Sequence, residues 1–456
     1  MKDLKGGEIT EEDVGDPNLK GRKSAGKHLE RNVIRNKGVA REIQDRALDF
    51  SDFQQTGLYD EEGLFERVVD FQRTMPLIPQ FLSPLFGKVI AEILFGSYVS
   101  SMYHHGPTPP TFLGLGAGRG YLDFDIIDHI TGELFAVMNQ VEYPEFGEAV
   151  VKSSRFIVSD RTNRAVRYLQ ESLGPLVVER KLQDRVEVRQ VNATDFRLER
   201  KPFGIVYSNE LLDALAVEPI VDICGALYKV KVVPYTRMNR PSDQIWTPGT
   251  ELEGFEGKAL TKDGAMVLLR GDKTKVRYCP VFIPLSYDPE LEERARSTRS
   301  LGRAINSPDF GGLYPLQLKV GALLDSAKAS FDHDLVLFVD YASHREGQHN
   351  WNVTVNHFRH YVFGEEDVDF QVDFNQVVEE GERRGFRPIY FETQKELLKQ
   401  SYGLVQVFTD RDYQRWGQVN RDIPKNGNVA TACLGAYTMC FTLIPHDAYK
   451  VLILQF

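Results

Sequence analysis

Two groups of residues carry chemistry. Residues 111–121 read Thr-Phe-Leu-Gly-Leu-Gly-Ala-Gly-Arg-Gly-Tyr: an apolar run, then Gly116, Gly118 and Gly120, then a helical pattern from Leu122. Glycines at this spacing let the chain turn sharply and bring the bare N–H groups of a helix start against a ligand. A dinucleotide fingerprint needs Gly-x-Gly-x-x-Gly, and its sixth position here is Tyr121. The Gly-x-Gly-x-Gly form points to an S-adenosylmethionine (SAM) site held by Gly116, Ala117, Gly118, Arg119 and Gly120; a plain glycine turn is the other reading. The second group is Asn209, Glu210 and Asp213, directly after the apolar run 203–208. Two carboxylates near the carboxyl end of a strand stand where open α/β sheets keep their ligands, close to a transferred group.

These residues must be positioned by alternating strands and helices. A second strand, 155–160, ends in Asp160, where a carboxylate accepts hydrogen bonds from ribose hydroxyls. Its interval from Gly116 is about twice the usual one, so an acid favouring the next helix N-terminus is the alternative. That helix, with Ala165, Val166, Leu169 and Leu173 on one face, is expected to stop at Gly174-Pro175. A third strand from Val186 leads to Asn192 and Asp195, which either meet the adenine edge or make ordinary turn chemistry. Ser83 as N-cap and Pro84 open a helix whose apolar stripe is Leu85, Phe86, Val89, Ile90, Ile93 and Leu94. Residues 50–65 read as compact and turn-rich, and 122–152 as helical with a break at 142–147. Residues 218–312 change character, with hairpin signals at 260–269 and a charged helix at 289–298. The core resumes with a helix (Val320, Leu323, Leu324, Ala327) and a strand, 335–341, apolar enough to be buried on both faces. Asp373-Phe-Asn-Gln376 resembles a capping box, opening a helix that turns Phe374, Val377 and Val378 inward and closes at Gly385. Strands at 388–391, 436–444 and 449–455 complete the sheet.

Composition narrows the classes. The chain has 456 residues and a formal net charge of −10, with the basic residues interspersed, so no basic face suits nucleic acid. Cys224, Cys279, Cys433 and Cys440 form no CxxC pair, which argues for a reducing compartment rather than a disulfide scaffold. No apolar run reaches the ~20 residues of a membrane helix, and no membrane partner is expected. His344, His349, His357 and His360 lack tight ligand spacing and read as a polar loop, not a metal site. The sequons at Asn192 and Asn352 carry no weight. Residues 1–48 form a polar, flexible arm; its acids Glu8, Glu11, Glu12, Asp13 and Asp16 argue against a mitochondrial transit peptide and favour a cytoplasmic protein. The expected organisation is that arm, a helical cover at 49–110, a first part of the core at 111–220, an inserted β-rich substrate subdomain at 221–312, and a second part of the core at 313–456.

With both groups in view, the chain resembles the MidA-like family of SAM-dependent methyltransferases, which includes a mitochondrial assembly factor for respiratory complex I. Gly116-Ala-Gly-Arg-Gly120 with Leu122 and Asp125 is similar to the family's first motif. Asn209-Glu-Leu-Leu-Asp-Ala-Leu-x-Val217 is similar to its Asn-Glu-aromatic-Phe-Asp-Ala-Leu-Pro-Val signature, the more specific match. Further pieces follow in family order, among them Asp340-Tyr-Ala342 and Lys450-Val-Leu452. The resemblance implies a Rossmann-like class I SAM-dependent methyltransferase fold of the α/β class, with an N-terminal helical extension and an inserted β-rich subdomain. It also implies S-adenosyl-L-methionine as cofactor, a protein arginine as acceptor, and Glu210 and Asp213 as catalytic acids. A mitochondrial location would follow from the relative, and a homodimer is admitted.

Two departures mark a divergent member. Gly114 stands where the family has Glu near the SAM amino group, and residues 75–82, Met-Pro-Leu-Ile-Pro-Gln-Phe-Leu, replace a Gly-Asp-Phe-x-Thr-x-Pro-Glu segment. Three readings therefore stand: a methyltransferase of protein side chains, one acting on a small metabolite or peptide natural product, and a non-catalytic assembly or scaffold protein.

Overall fold

The computed structural model describes residues 33, 47–60, 63–67, 85–105, 108–134, 152–199, 201–223, 225–236, 258–259, 276–307, 310, 312–342, 349–350, 370–394, 397 and 449–456. Along the chain these form β1 (Leu48–Asp49), α1 (Phe50–Tyr59), α2 (Leu64–Arg67), α3 (Leu85–His105), β2 (Thr111–Leu115), α4 (Tyr121–His129), β3 (Arg155–Asp160), α5 (Asn163–Glu179), β4 (Val186–Gln190) and β5 (Lys201–Asn209). They continue as β6 (Val217–Ile223), β7 (Ala226–Thr236), β8 (Lys258–Ala259), β9 (Val276–Pro284), α6 (Pro289–Ser297), α7 (Arg299–Asn306) and β10 (Gly312–Gln317). Last come α8 (Val320–Ser330), β11 (Phe331–Tyr341), β12 (His349–Asn350), α9 (Phe374–Glu382), β13 (Arg387–Thr393) and β14 (Tyr449–Gln455).

Contacts divide the chain into two units. The first combines the described residues up to Arg67 with 213–319 and 343–379, and the second combines 68–212, 320–342 and 380–456. The second holds a sheet in the order β13-β14-β11-β5-β2-β3-β4. Its pairs β11·β5, β5·β2, β2·β3 and β3·β4 are parallel, while β14 runs antiparallel between β11 and β13. The order turns back at β2, where the chain goes out to β3 and β4 and then crosses to β5 on the other side. Such a switch point opens a crevice at the carboxyl ends of the strands. β2 is buried along its whole length, as a central parallel strand covered on both faces must be. Phe112 stacks on Phe156 at 5.1 Å, and α3, α4 and α5 add Phe86, Val89, Ile90, Leu94, Ile126, Leu169, Leu173 and Leu176 to the same core.

The first unit is mostly antiparallel: β7 pairs with β6, β9, β8 and β1, and β6 pairs with β10. One core gathers Phe50, Phe53, Val221, Val230, Val232 and Phe282. Another packs Leu291, Ala295, Leu301 and Ala304 from α6 and α7 against Tyr314 and Leu316 of β10.

Four readings of the chain are corrected. Residues 50–59 are a helix, not a turn-rich run, because Phe50, Phe53, Gln54, Gly57 and Leu58 recur at helical spacing and are buried. The helix expected to stop at Gly174-Pro175 runs on to Glu179. Gly174 lacks the Cβ that would clash with the proline ring and faces open space, while burial of Leu176 continues the inward stripe. Just past the helix end Lys181 is left-handed at φ 56, with the Leu182 and Lys181 amides donating back to the Val177 and Val178 carbonyls. Gln376 completes no capping box: its side chain pairs with both backbone groups of Gln317, while Asp373 alone caps the Asn375 amide at 3.0 Å. Val378 is only half-buried, and Glu379 and Glu380 lie inward instead. The hairpin at 260–269, the helical break at 142–147, the strand at 436–444, the cap at Ser83-Pro84 and the segment 75–82 lie outside the described residues. Apart from Val33, Leu48 and residue 47, so does the polar arm.

Candidate functional site

The glycine loop joins β2 to α4. Gly116, Gly118 and Gly120 take φ values of 66, 55 and 73°, a left-handed series that side-chain-bearing residues resist. Space adds a second reason at Gly120, where a Cβ would stand 2.6 Å from Leu169 Cδ2. Three loop amides are spent inside the protein: Ala117 on the Ser159 carbonyl at 3.0 Å, Gly118 on Asp160 Oδ2 at 3.0 Å, and Gly120 on the Ala117 carbonyl at 2.8 Å. The loop is therefore braced largely by itself. The amides of the first turn of α4 have no acceptor further back within their own helix, as at any helix start. The Arg119 carbonyl accepts from Ser172 Oγ at 3.0 Å, and the Arg119 guanidinium lies 5.7 Å from the Tyr168 ring centre.

Asp160 ties this loop to α5. Its Oδ1 accepts from the Thr162 amide at 3.0 Å and the Thr162 hydroxyl at 3.2 Å, while its Oδ2 accepts from Gly118. Thr162 Oγ1 then caps the Ala165 amide at 3.1 Å. Burial raises the Asp160 carboxyl above its ordinary range even against these hydrogen bonds. Sequence reasoning offered a ribose ligand or a helix-start acid; the geometry has it bracing the loop, with lone pairs left over on Oδ2.

Beneath the loop lies a pair that sequence reasoning missed. Tyr207 of β5 donates its hydroxyl to Asp123 Oδ1 at 2.7 Å, and both side chains are buried. Burial first, and Asp160 as a like charge, push the Asp123 carboxyl up to about 6. A Cβ built on Gly114 would meet Asp123 Oδ1 and the Tyr207 hydroxyl, the latter at 2.9 Å.

At the carboxyl end of β5, Ser208 Oγ and Asn209 Nδ2 are buried with no hydrogen-bond partner among the described residues, and such atoms call for one. Glu210 is left-handed at φ 52. Lys181 shares that conformation because it closes a helix; Glu210 has no such cause and sits at the crevice edge. It is held there from β11: the Glu210 amide donates to the Val339 carbonyl at 2.9 Å, and Asp340 Oδ2 accepts from Leu211 at 3.0 Å and Leu212 at 2.7 Å. The aspartate in Asp340-Tyr-Ala342 was visible as a motif, but its bond to a turn about 130 residues away was not.

The other predicted site residues fall as follows. Asn192 Oδ1 accepts from the Thr194 amide and hydroxyl, and the Asp195 amide donates to the Asn192 carbonyl; this is turn chemistry, leaving the Asn192 amide group to face elsewhere. Asp213 belongs to the first unit, where its carbonyl accepts from Gln54 Nε2 at 3.3 Å. Residues 210–216 make turns into β6, and Asp213 lies in one of them. Among the described residues no His, Cys, Asp and Glu group could hold a metal, and no helix is long and apolar enough to cross a membrane. Of the four histidines, only the backbone of His349 is described.

A nucleoside cofactor with an amino-acid tail fits what is present: a left-handed glycine turn into a helix start, an acid at the next strand tip, and unsatisfied polar atoms at the end of β5. Residues 94–391 match the family model described as "Putative S-adenosyl-L-methionine-dependent methyltransferase". A comparison with curated proteins found no match. Among solved structures, a COG1565 superfamily member from Burkholderia thailandensis bound to S-adenosyl-homocysteine is similar at a TM-score of 0.55 and 16% identity, covering 92% of this chain and 91% of that one. An uncharacterized COG1565 superfamily protein from the same organism matches at 0.55 and 17% identity, covering 92% and 90%.

Proposed function

The chain belongs to the family of S-adenosyl-L-methionine-dependent methyltransferases, and from that premise we propose that its methyl acceptor is a protein side chain, specifically an arginine nitrogen. The cofactor supplies an electrophilic methyl group on a sulfonium. The task left to the chain is to hold the acceptor atom within about 3–3.5 Å of that carbon, in line, with water excluded. In this reading the loop residues Gly116, Ala117, Gly118, Arg119 and Gly120 shape the cofactor's seat, with α4 supplying the donors. Asp160 receives ribose hydroxyls, Asn192 and Asp195 flank the base, and Asn209 Nδ2 donates to a polar group of the cofactor. Glu210 pairs with the guanidinium of the acceptor and localises its charge away from the attacking nitrogen. Asp213 keeps a catalytic assignment from its place in the sequence motif alone.

The observation that supports this reading is the left-handed backbone of Glu210. A conformation that costs on the order of 1–3 kcal/mol persists where the surroundings over-determine it, and such sites cluster around function. The test uses radiolabelled SAM, a cell lysate and the variant Glu210→Gln. Wild-type protein should label polypeptides, with the label recovered as methylarginine after hydrolysis. Glu210→Gln should lower the rate roughly a hundredfold and bind SAM in calorimetry as wild type does. Label confined to small molecules would move the acceptor to a metabolite or peptide product. An unchanged rate would remove Glu210 from the mechanism.

A further inference from the structure

The space above Gly114 is filled in an unusual way. Gly114 lies on β2 between Val158 of β3 and Tyr207 of β5, two residues before the first left-handed glycine. In place of its own side chain stands the carboxylate of Asp123, which comes down from the first turn of α4, so close that the two could not coexist. Residues 114 and 123 are therefore a complementary pair: a strand position without a side chain, and a helix position whose acid takes the room.

We propose that Asp123, standing in the space Gly114 leaves, is the carboxylate that receives the ammonium group of the cofactor's amino-acid end. This rests on the SAM-dependent reading of the site and deepens it. Three observations carry it. Asp123 lies directly under the glycine turn and at the start of α4, whose amides suit the carboxylate of the same amino-acid end, so an acid and a set of donors lie side by side as a zwitterion requires. The Tyr207 hydroxyl fixes Asp123 Oδ1, and it and Asp123's own amide are neutral donors, so no cation among the described residues balances the carboxylate. The charged neighbour acting on Asp123 among the described residues is Asp160, another acid, and two acids around one loop are relieved by an incoming cation. The raised carboxyl of Asp123, at about 6, agrees with a site that lacks its positive partner.

The test compares two ligands that share the nucleoside but differ in the amino-acid end, S-adenosylhomocysteine and 5′-methylthioadenosine, by calorimetry on the full chain. Asp123→Asn should weaken S-adenosylhomocysteine by about tenfold to a hundredfold, as loss of a charge-assisted bond does, and leave methylthioadenosine within about twofold. Equal losses for both ligands, or none for either, would make Asp123 a structural residue and overturn the proposal. Should Asp123→Asn not fold, the wild-type chain decides: between about pH 7.5 and about pH 5 S-adenosylhomocysteine should lose affinity relative to methylthioadenosine as the carboxylate takes up a proton, and an affinity ratio unchanged across that range overturns the proposal. Wild-type protein that bound neither ligand would sink the methyltransferase reading itself, an outcome distinct from both.

Discussion

Strand β11 carries two buried aspartates, Asp334 near its amino end and Asp340 near its carboxyl end, and their surroundings differ completely. Asp340 accepts the amides of Leu211, Leu212 and Tyr341. Asp334, equally enclosed, has no hydrogen-bond partner on either oxygen among the described residues. Burial pushes its carboxyl up to about 7, with only the charge of Lys328 and its own backbone pulling the other way. At the carboxyl ends of parallel strands the chain turns and offers N–H groups, and Asp340 accepts three of them. At the opposite end no such donors converge, and the same side chain is a cost. Burial alone therefore does not mark a working acid; the donors around it do.

The most severe way to break this contrast is Asp340→Ala. It strands the buried amides of Leu211 and Leu212, at about 1–3 kcal/mol each, so urea unfolding should report a loss of roughly 4 kcal/mol, with methyl transfer falling because Glu210 loses its brace. An active variant of wild-type stability would mean that the turn holds itself.

The next effect runs with pH. Asp334 has a folded pKa of about 7 against an ordinary 3.8, so the folded state binds the proton more tightly. Its contribution is fully present below the unfolded pKa and is lost as pH rises through the folded one. Between about pH 5 and about pH 8 this amounts to a loss on the order of 2–3 kcal/mol. Asp123 and Glu218, raised to about 6 and about 7 by burial, titrate in the same window. The difference between wild type and Asp334→Asn isolates the one group: the variant should show the flatter stability profile, and parallel profiles would refute the assignment. Smallest is Thr162→Ala, which removes the cap of α5 on the site side of the sheet. It should cost about 1 kcal/mol in thermal or urea unfolding and leave the Asp334 titration untouched.

Features written in local spacing were legible from the sequence. The glycine turn, the acid closing β3, and the run of β5 into Asn209 all depend on residues within a few positions of one another. The helical run from Phe50 to Leu58 was missed because Gly57 and nearby polar residues resembled a turn, although the buried positions keep a strict helical period. Pro175 was read as a stop, since the preceding glycine that admits it is also a common helix terminator. The bonds that organise the site escaped for another reason. Asp340 reaches Leu211, and Tyr207 reaches Asp123, across 129 and 84 residues, and no periodicity encodes such a meeting. One trace was available: a glycine in mid-strand at 114 marks a close approach by something else, and that something is Asp123.

The place of β14 in the sheet has a consequence for how the protein is made. β14 pairs with β11 from Leu335↔Gln455 to Tyr341↔Tyr449, yet leaves the ribosome about a hundred residues later. A strand β11 that joined β5 as soon as it was made would keep its other, apolar edge, Leu335 to Val339, open until β14 followed. Unsatisfied edges of this kind recruit strands from other molecules. Yield at high expression should therefore depend less on the stability of the finished enzyme than on how quickly β14 arrives or how well a chaperone shields the gap, and slowing translation between β13 and β14 should increase aggregation without altering any contact in the folded protein.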